Sequence, residues 1–442
     1  VTHVYREIMF SYYLNLALRS LRRTPILTAL MVLAIGLGIG ASMTMITVLH
    51  VMTADPIPGR SGKLFYPQVD PQGMDGYSMA SNPPEELTWI DAQNLLRGHK
   101  GVRQVAMSGG QVTVVPPQGA THAFFANARY ASADFFAMFE VPFVAGGGWT
   151  ASDDDEHARV AVIARDLADR LYGTPHAVGR TLRLGKYDFR IIGVIDCWDP
   201  TPHYYDLSTG NYARLEQVFV PFQTAMELKQ STRGGMSCWG DFPADGELTR
   251  ADQCAWVQFW VQLDTPAQVA AYHGFLDSYS AQQKALGRFQ RPPNTRLYDV
   301  MAWLDHNHVV PGSVQLQTLL ALGFLLVCLI NTVALLLVKF LRRGGELSVR
   351  RAMGASKRSV FAQLLTEAAL IGLAGGAAGL LLAAFGLWVV RQQPVPYAAL
   401  AHLDGAMLGT TFVLAVCATL LAAVFPAWRA CRLVPARLLK TQ

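Results

Sequence analysis

Hydrophobic and polar positions fall into two regimes along the chain. Four runs, Thr24 to Ala54, His306 to Val338, Ala368 to Val390 and Gly405 to Trp428, carry no Asp, Glu, Lys or Arg. Each exceeds the roughly 20 residues a helix needs to cross a hydrocarbon core, so the pattern predicts four membrane-spanning helices. Between the first two runs the chain changes to short alternating or apolar stretches punctuated by glycine and proline. Arg159 to Ile163 reads as a strand followed by a helix from Ala164 to Tyr172, and Thr181 to Leu184 with Phe189 to Ile195 as strands around a turn at Gly185-Lys186. Trp256 to Leu263 alternates, which predicts that Val257, Phe259, Val261 and Leu263 face a core. The predicted fold class is an α+β membrane protein: four transmembrane helices with a large extracytoplasmic α+β domain between helices 1 and 2.

Composition agrees, since 51% of the residues are apolar and only 16% charged, which is unusual for a soluble domain. Basic residues set the orientation. Arg19, Arg22 and Arg23 precede the first run, seven Lys or Arg from Lys339 to Arg358 separate the second and third, and Arg429, Arg432, Arg437 and Lys440 follow the fourth. The positive-inside rule then predicts cytoplasmic termini and an extracytoplasmic Asp55 to Asp305. The first run is too long for the core of a cleavable leader and is expected to be an uncleaved anchor. Ahead of it, Leu14, Leu18 and Leu21 share a helical face, the mark of an interfacial helix that serves as an anchor or as a lever.

The peptide Gly344 to Arg358, GGELSVRRAMGASKR, is too polar to enter a bilayer. Glu346 and Arg350 stand four apart with the acid first, an order that supports a helix. Gly354 suits a helix stop and Ser356 the N-cap of the next helix. The expectation is a helix of about nine residues, roughly 13 Å long, lying beneath the membrane. It is either a topogenic basic loop or a handle that can be pushed. Gly36 and Gly40 in the first run and Gly372, Gly375, Gly376 and Gly379 in the third allow close helix packing, within one subunit or at a sliding dimer seam.

Glu346 to Ala355, Glu367-Ala368 and the small-residue stretch Gly372 to Gly379 together resemble the MacB/FtsX-type (type VII) ABC transporter permeases. So do Tyr130 to Phe136, the Asp153-Asp154-Asp155 turn, Val160 to Ile163 and Val178 to Leu184, which are similar to that family's MacB-like periplasmic core domain. The resemblance implies a bacterial inner-membrane subunit. Its divisions are a cytoplasmic amphipathic helix (1–23), span 1 (24–54), a periplasmic domain (55–305), stalk and span 2 (306–338), a coupling helix (339–358), span 3 (359–391), a short periplasmic loop (392–404), span 4 (405–428) and a cytoplasmic tail (429–442). The periplasmic domain would comprise a porter-like part and a smaller lobe inserted at about 130–255. Glu346, Leu347, Arg350, Arg351, Met353, Gly354 and Ala355 would couple to an ATPase dimer. ATP and magnesium would sit on that partner. This chain is expected to bind no cofactor, since no G-x-x-x-x-G-K-[ST] phosphate loop occurs in it, and the ATPase is expected to be a separate chain.

The other partners implied are a second permease subunit, identical or different, membrane lipid, and a periplasmic adaptor with an outer-membrane duct; no nucleic acid is expected. The implied function is mechanotransmission: ATP hydrolysis drives a periplasmic conformational change that exports a peptide, antibiotic-like or lipid-linked substrate. The alternative is a signalling subunit that activates an external partner such as a cell-wall hydrolase.

Remaining chemistry is sparse. The run Asp153 to His157 lacks EF-hand spacing and reads as a solvated turn, not a metal site, and His306 and His308 as interfacial polar residues. Glu367, placed about one turn into the third span, reads as paired with Lys357 or Arg358 or snorkelling, with a proton or substrate site as the other reading. Of three cysteines expected outside, Cys197, Cys238 and Cys254, the last two flank a Gly/Pro/Asp-rich loop and are the pair expected to bridge; three free thiols are the alternative. No G-x-S-x-G or H-E-x-x-H motif occurs, so a hydrolase acting alone is not expected.

Overall fold

The computed structural model of the chain describes residues 16–117, 122–212, 215–244, 246–393 and 405–431, with side chains in the last segment from 409. Most of the amphipathic N-terminal stretch, the loop 394–404 with Pro394 and Pro396, and the tail beyond 431 lie outside the described residues. Two compact units result: Asp55 to Val309, and the residues up to Ala54 together with those from Val310.

The α+β unit is built on one mixed sheet. Its strands are β1 (Leu64–Gln68), β2 (Leu87–Thr88), β3 (Arg103–Val115), β4 (Phe124–Ala131), β5 (Phe143–Gly146), β6 (Val160–Ala164) and β7 (Thr181–Leu184). They continue with β8 (Tyr187–Ile195), β9 (Val218–Pro221), β10 (Thr232–Arg233), β11 (Ser237–Cys238), β12 (Cys254–Gln262) and β13 (Arg296–Asp299). The main path runs β13-β1-β12-β3-β4-β9-β6-β8-β5, with β2 and β11 beside β12, β10 beside β3, and β7 bridging β3 and β8. Pairing is antiparallel except between β4 and β9 and between β6 and β8. Strands of the segment 130–255 thus belong to the same sheet as β1, β12 and β13.

Both faces of the sheet are covered. On β1, Leu64 and Tyr66 join one apolar cluster and Phe65 the other. On β12, Val257, Phe259 and Val261 share the cluster of Phe65 while Trp260 joins that of Leu64 and Tyr66, so the alternation marks two cores instead of one core and a wet face. The helix Pro266–Ala285 starts in a capping box of Thr265 and Gln268, and its Tyr279 hydroxyl donates to Asp91 at 2.6 Å on the helix Trp89–Gly98.

Within this unit lies a wholly buried ionic network. Arg129 on β4 contacts Asp206 at 2.7 Å and donates to Glu216 through Nε at 3.0 Å, while the Tyr205 hydroxyl donates to Glu216 at 2.7 Å. Burial pushes the Glu216 carboxyl up, but the adjacent Arg129 outweighs it and holds the group well below the usual carboxylate range. The network fastens Tyr205, Asp206 and Glu216 to β4, and removing one of its charged members strands a charge, at a cost of about 3–5 kcal/mol.

The acidic run folds as the helix Ala151–Asp155, where Thr150 and Asp153 form a capping box. Asp154 turns inward and accepts the Ala133 amide at 3.1 Å. Cys238 and Cys254 are disulfide-bonded, facing each other across β11 and β12.

The second unit contains α1 (Pro25–Thr53), α2 (Gly312–Arg342), α3 (Gly344–Ala352), α4 (Lys357–Arg391) and α5 (Gly405–Cys431). All but α3 are long and apolar enough to span a membrane. α2 starts at Gly312, six residues past the predicted His306, because Val300 to His306 forms its own short helix within the α+β unit. In α1, Ile26, Leu30, Leu33 and Leu37 are exposed while Met31, Ile35, Ile39 and Met43 pack inward. A lipid-facing stripe and a bundle-facing stripe are what a spanning helix requires.

Two predictions follow from the α+β unit. Burial raises both Glu86 and Asp154 to about 7, with Glu85 and Asp206 adding to the Glu86 shift. The folded unit therefore binds more protons than the unfolded chain between about pH 4 and pH 7, and stability falls as pH rises through that window. Glu216, held ionised in the fold, opposes this trend only at the acid end, where the unfolded carboxyl still binds a proton, and adds almost nothing above about pH 5.5. The full chain should melt lower at pH 8 than at pH 5.5, and a Glu86→Gln/Asp154→Asn variant should lose most of that difference in thermal scans. The Cys238–Cys254 bridge closes a loop of sequence separation 16, worth about 3 kcal/mol in the loop-entropy model. Replacing both cysteines by serine should lower the urea midpoint accordingly, and non-reducing peptide mapping of the parent should recover the two peptides joined.

Candidate functional site

The charged peptide between α2 and α4 folds as α3, nine residues long. Gly354 adopts φ +102°, which favours glycine and ends the helix, and the Ser356 hydroxyl accepts the Ser359 amide at 3.2 Å to start α4. On the inner face of α3, Gly344, Leu347 and Ser348 are buried, and Leu347 joins the apolar cluster with Phe340, Val360 and Leu364. On the opposite face Val349 is 52% and Met353 76% exposed, with Ala352 between them.

The arginines of α3 point to its neighbours. Arg350 donates to the Gln363 side chain at 2.9 Å and Arg351 to the Cys431 carbonyl at 3.2 Å, which ties α3 to α4 and to the end of α5. The predicted Glu346–Arg350 pair does not form. Glu346 sits in the first turn of α3 and accepts from Arg23 at 2.8 Å and from Arg343 at 3.1 Å, where a carboxylate also complements the helix dipole.

Behind α3 lies a buried charge cluster. Glu367 and Lys339 are both wholly inaccessible and pair at 2.6 Å. Arg343 donates to the second Glu367 oxygen at 3.0 Å and to Ser20 at 2.5 Å, and the Ser20 hydroxyl also contacts Glu367. The predicted partners of Glu367, Lys357 and Arg358, are not the observed ones. α4 begins at Lys357, so Glu367 stands nearly three turns in, roughly 15 Å along the axis, level with the last turn of α2. An unpaired charge there would be costly; a carboxylate between two cations is compensated.

The predicted packing glycines all sit at contacts between helices of this chain. A Cβ on Gly36 would lie 3.1 Å from Ala378 Cβ, and one on Gly40 2.7 Å from Leu382 Cβ and 3.2 Å from the Gly379 carbonyl. On α4, Gly375 and Gly379 receive Ile35 and Ile39 of α1, while Gly372 and Gly376 face Thr419 and Ala415 of α5. Ala355 is partly buried beside α3.

Sequence reasoning brought Glu346, Leu347, Arg350, Arg351 and Met353 to one element but left three features unread. Val349 and Ala352 form the free face with Met353, and the period of three and four from Met353 could have identified them. Lys339 and Arg343 counted only as topogenic charges, and their convergence on Glu367 comes from packing of separate helices, for which the sequence holds no local signal. Ser20 carried no mark at all.

Four apolar helices, an α+β domain inserted after the first, and a short polar helix braced between the second and third spans define a polytopic membrane protein of the permease type. The chain belongs to the MacB/FtsX-type ABC transporter permeases: residues 28–274 match the MacB-like periplasmic core domain and residues 318–435 the FtsX-like permease C-terminal domain. Among relatives, the macrolide export ATP-binding/permease protein MacB of Marinobacter nauticus is 23% identical across 97% of this chain and 60% of its own length. The pyoverdine export ATP-binding/permease protein PvdT of Pseudomonas aeruginosa is 24% identical across 84% of this chain and 50% of its own. The chain therefore spans about half to three fifths of these two relatives. The periplasmic region of MacB from Actinobacillus actinomycetemcomitans aligns with 55% of this chain and 92% of its own at TM-score 0.35 and 15% identity, a likeness too low to bear further argument.

The close approach of α1 to α4 makes a specific prediction. Gly40→Val should overpack the contact and cost roughly 1–3 kcal/mol, lowering the melting temperature of the detergent-solubilised chain. Gly323→Val on α2, where a Cβ would meet nothing within 4 Å, should melt with the parent.

Proposed function

We propose that this chain is the permease subunit of an ABC exporter that works by mechanotransmission, with α3 as the handle on which an ABC ATPase acts. The observation that carries this reading is the division of α3 into two faces. One face is fixed by Leu347, Arg350 and Arg351 to α4 and α5, and the other presents Val349, Ala352 and Met353 with Glu346 at its edge. A helix held on one side and bare on the other can receive a push and pass it to the spans. Arg350 and Arg351 brace the handle, while Val349 and Met353 meet the partner.

In this reading α3, the termini and the ATPase with its ATP and magnesium are cytoplasmic, and the α+β unit is periplasmic. The basic residues flanking the spans support that orientation. The permease works as a dimer with an identical or different second subunit, and hands its cargo to an adaptor and outer-membrane duct. Cargo is moved outside the bilayer: the helices meet at glycines too tightly for a wet passage between them, and the buried charges within the spans neutralise one another instead of lining a path. The substrate class is peptide-like, antibiotic-like or lipid-linked, by analogy with relatives named for export of macrolides and pyoverdine.

The experiment is affinity isolation of the full chain from its own host. The parent should bring down an ABC ATPase, and Val349→Asp/Met353→Asp should lose at least about tenfold of it, since burying unpaired charges in an apolar contact is costly, while insertion and melting stay unchanged. Recovery of a cell-wall hydrolase with no adaptor or duct would instead assign the signalling role.

A further inference from the structure

We propose that Glu367 is a positioning residue for α3: it holds Arg343, and through Arg343 the start of α3, at a fixed place against α4. This rests on the reading of α3 as the handle, and deepens it by naming what makes the handle stiff.

The geometry forms a relay across four segments. Arg23 and Arg343 both donate to Glu346 on α3. Arg343, the residue joining α2 to α3, divides its guanidinium between Glu346, Ser20 and Glu367. Glu367 closes the relay on α4 and is itself pinned by Lys339 from α2. The helical stretch ending at Arg23, the last turn of α2, the first turn of α3 and the third turn of α4 thus share one set of charge-assisted bonds. The five charged groups alternate in sign, Arg23, Glu346, Arg343, Glu367, Lys339, so each carboxylate lies between two cations.

Arg350 and Arg351 brace the last turn of α3, but near its start the apolar packing of Leu347 is non-directional and lets a short helix roll. Bonds from a planar guanidinium to carboxylates on two different helices fix direction as well as distance. With Gly344 and Gly345 opening α3 and Gly354 closing it, the backbone at both ends is permissive. The side-chain relay supplies the stiffness that the backbone does not. A displacement of α3 therefore reaches α2 and α4 together instead of being absorbed at the glycines.

The alternative is that Glu367 merely neutralises Lys339 inside the bundle. Lys339→Leu/Glu367→Leu separates the two roles, because it removes both buried charges, which is often neutral for stability, and also removes the α4 anchor of Arg343. Hydrogen exchange of the purified full chain in detergent reads α3 directly and needs no ATPase, so it can fail independently of the functional reading. Amides of 344–352 should exchange about tenfold faster or more, the scale of losing one charge-assisted hydrogen bond, while the interiors of α2 and α4 and the melting temperature match the parent. Arg343→Met, which leaves the Lys339–Glu367 pair in place, should loosen α3 to at least the same degree and serves if the double variant does not fold. Parent-like exchange of 344–352 in either folded variant would overturn the proposal, and so would loosening that spreads equally through α2 and α4.

Discussion

Charge neutralisation inside an apolar bundle is the constraint on which the membrane unit turns. Glu367 is wholly buried nearly three turns into a spanning helix, where an uncompensated carboxylate would be expensive, and Lys339 of α2 and Arg343 just beyond that helix meet it there. That requirement ties the end of α2 to α4, two helices that otherwise pack through α1 and α5. Arg343, paired with the same carboxylate, also reaches Glu346 at the start of α3. Further along the bundle, α1 and α4 come close because Gly36, Gly40, Gly375 and Gly379 lack the side chains that would keep them apart.

The α+β unit solves a related problem with different means. A long mixed sheet with both faces covered has no wet side on which to leave polar groups, so those it retains are gathered. Arg129, Asp206, Glu216 and Tyr205 pair among themselves, and residues 203–206 and Glu216 are held to β4 by those bonds as well as by the apolar contacts of Tyr204 and Tyr205. In both units an arginine, Arg129 in one and Arg343 in the other, joins segments that are distant in sequence.

Periodic features were legible in the sequence. The four charge-free runs became four helices, the turn at Gly185-Lys186 lies between β7 and β8, and Gly354 and Ser356 end and begin helices as their side chains dictate. What failed was inference about partners. Glu346 and Arg350 have ideal spacing for each other, yet each found a partner elsewhere, because two guanidinium donors to Glu346 and a part-buried contact of Arg350 with Gln363 outweigh the few tenths of a kcal/mol of an exposed pair. Lys357 and Arg358 were the cations nearest Glu367 in sequence, but ten residues of helix carry it away from them. Alternation on β12 gave the strand correctly and its environment incompletely, since Trp260 belongs to a second core that needs knowledge of the opposite layer.

The pairing of the first and last principal strands bears on how such a chain could have been assembled. β1 and β13 lie side by side, Phe65 opposite Asp299 and Gln68 opposite Arg296. The polypeptide thus enters and leaves the α+β unit at neighbouring strands on one edge of the sheet. A module with adjacent ends can be placed in a connection between two helices without prising them apart, and its sheet carries its own closure. Ancestral exchange of whole domains at this position would require compatible joints at only two nearby points, leaving the helical unit free to keep its machinery while the domain it carries diversifies.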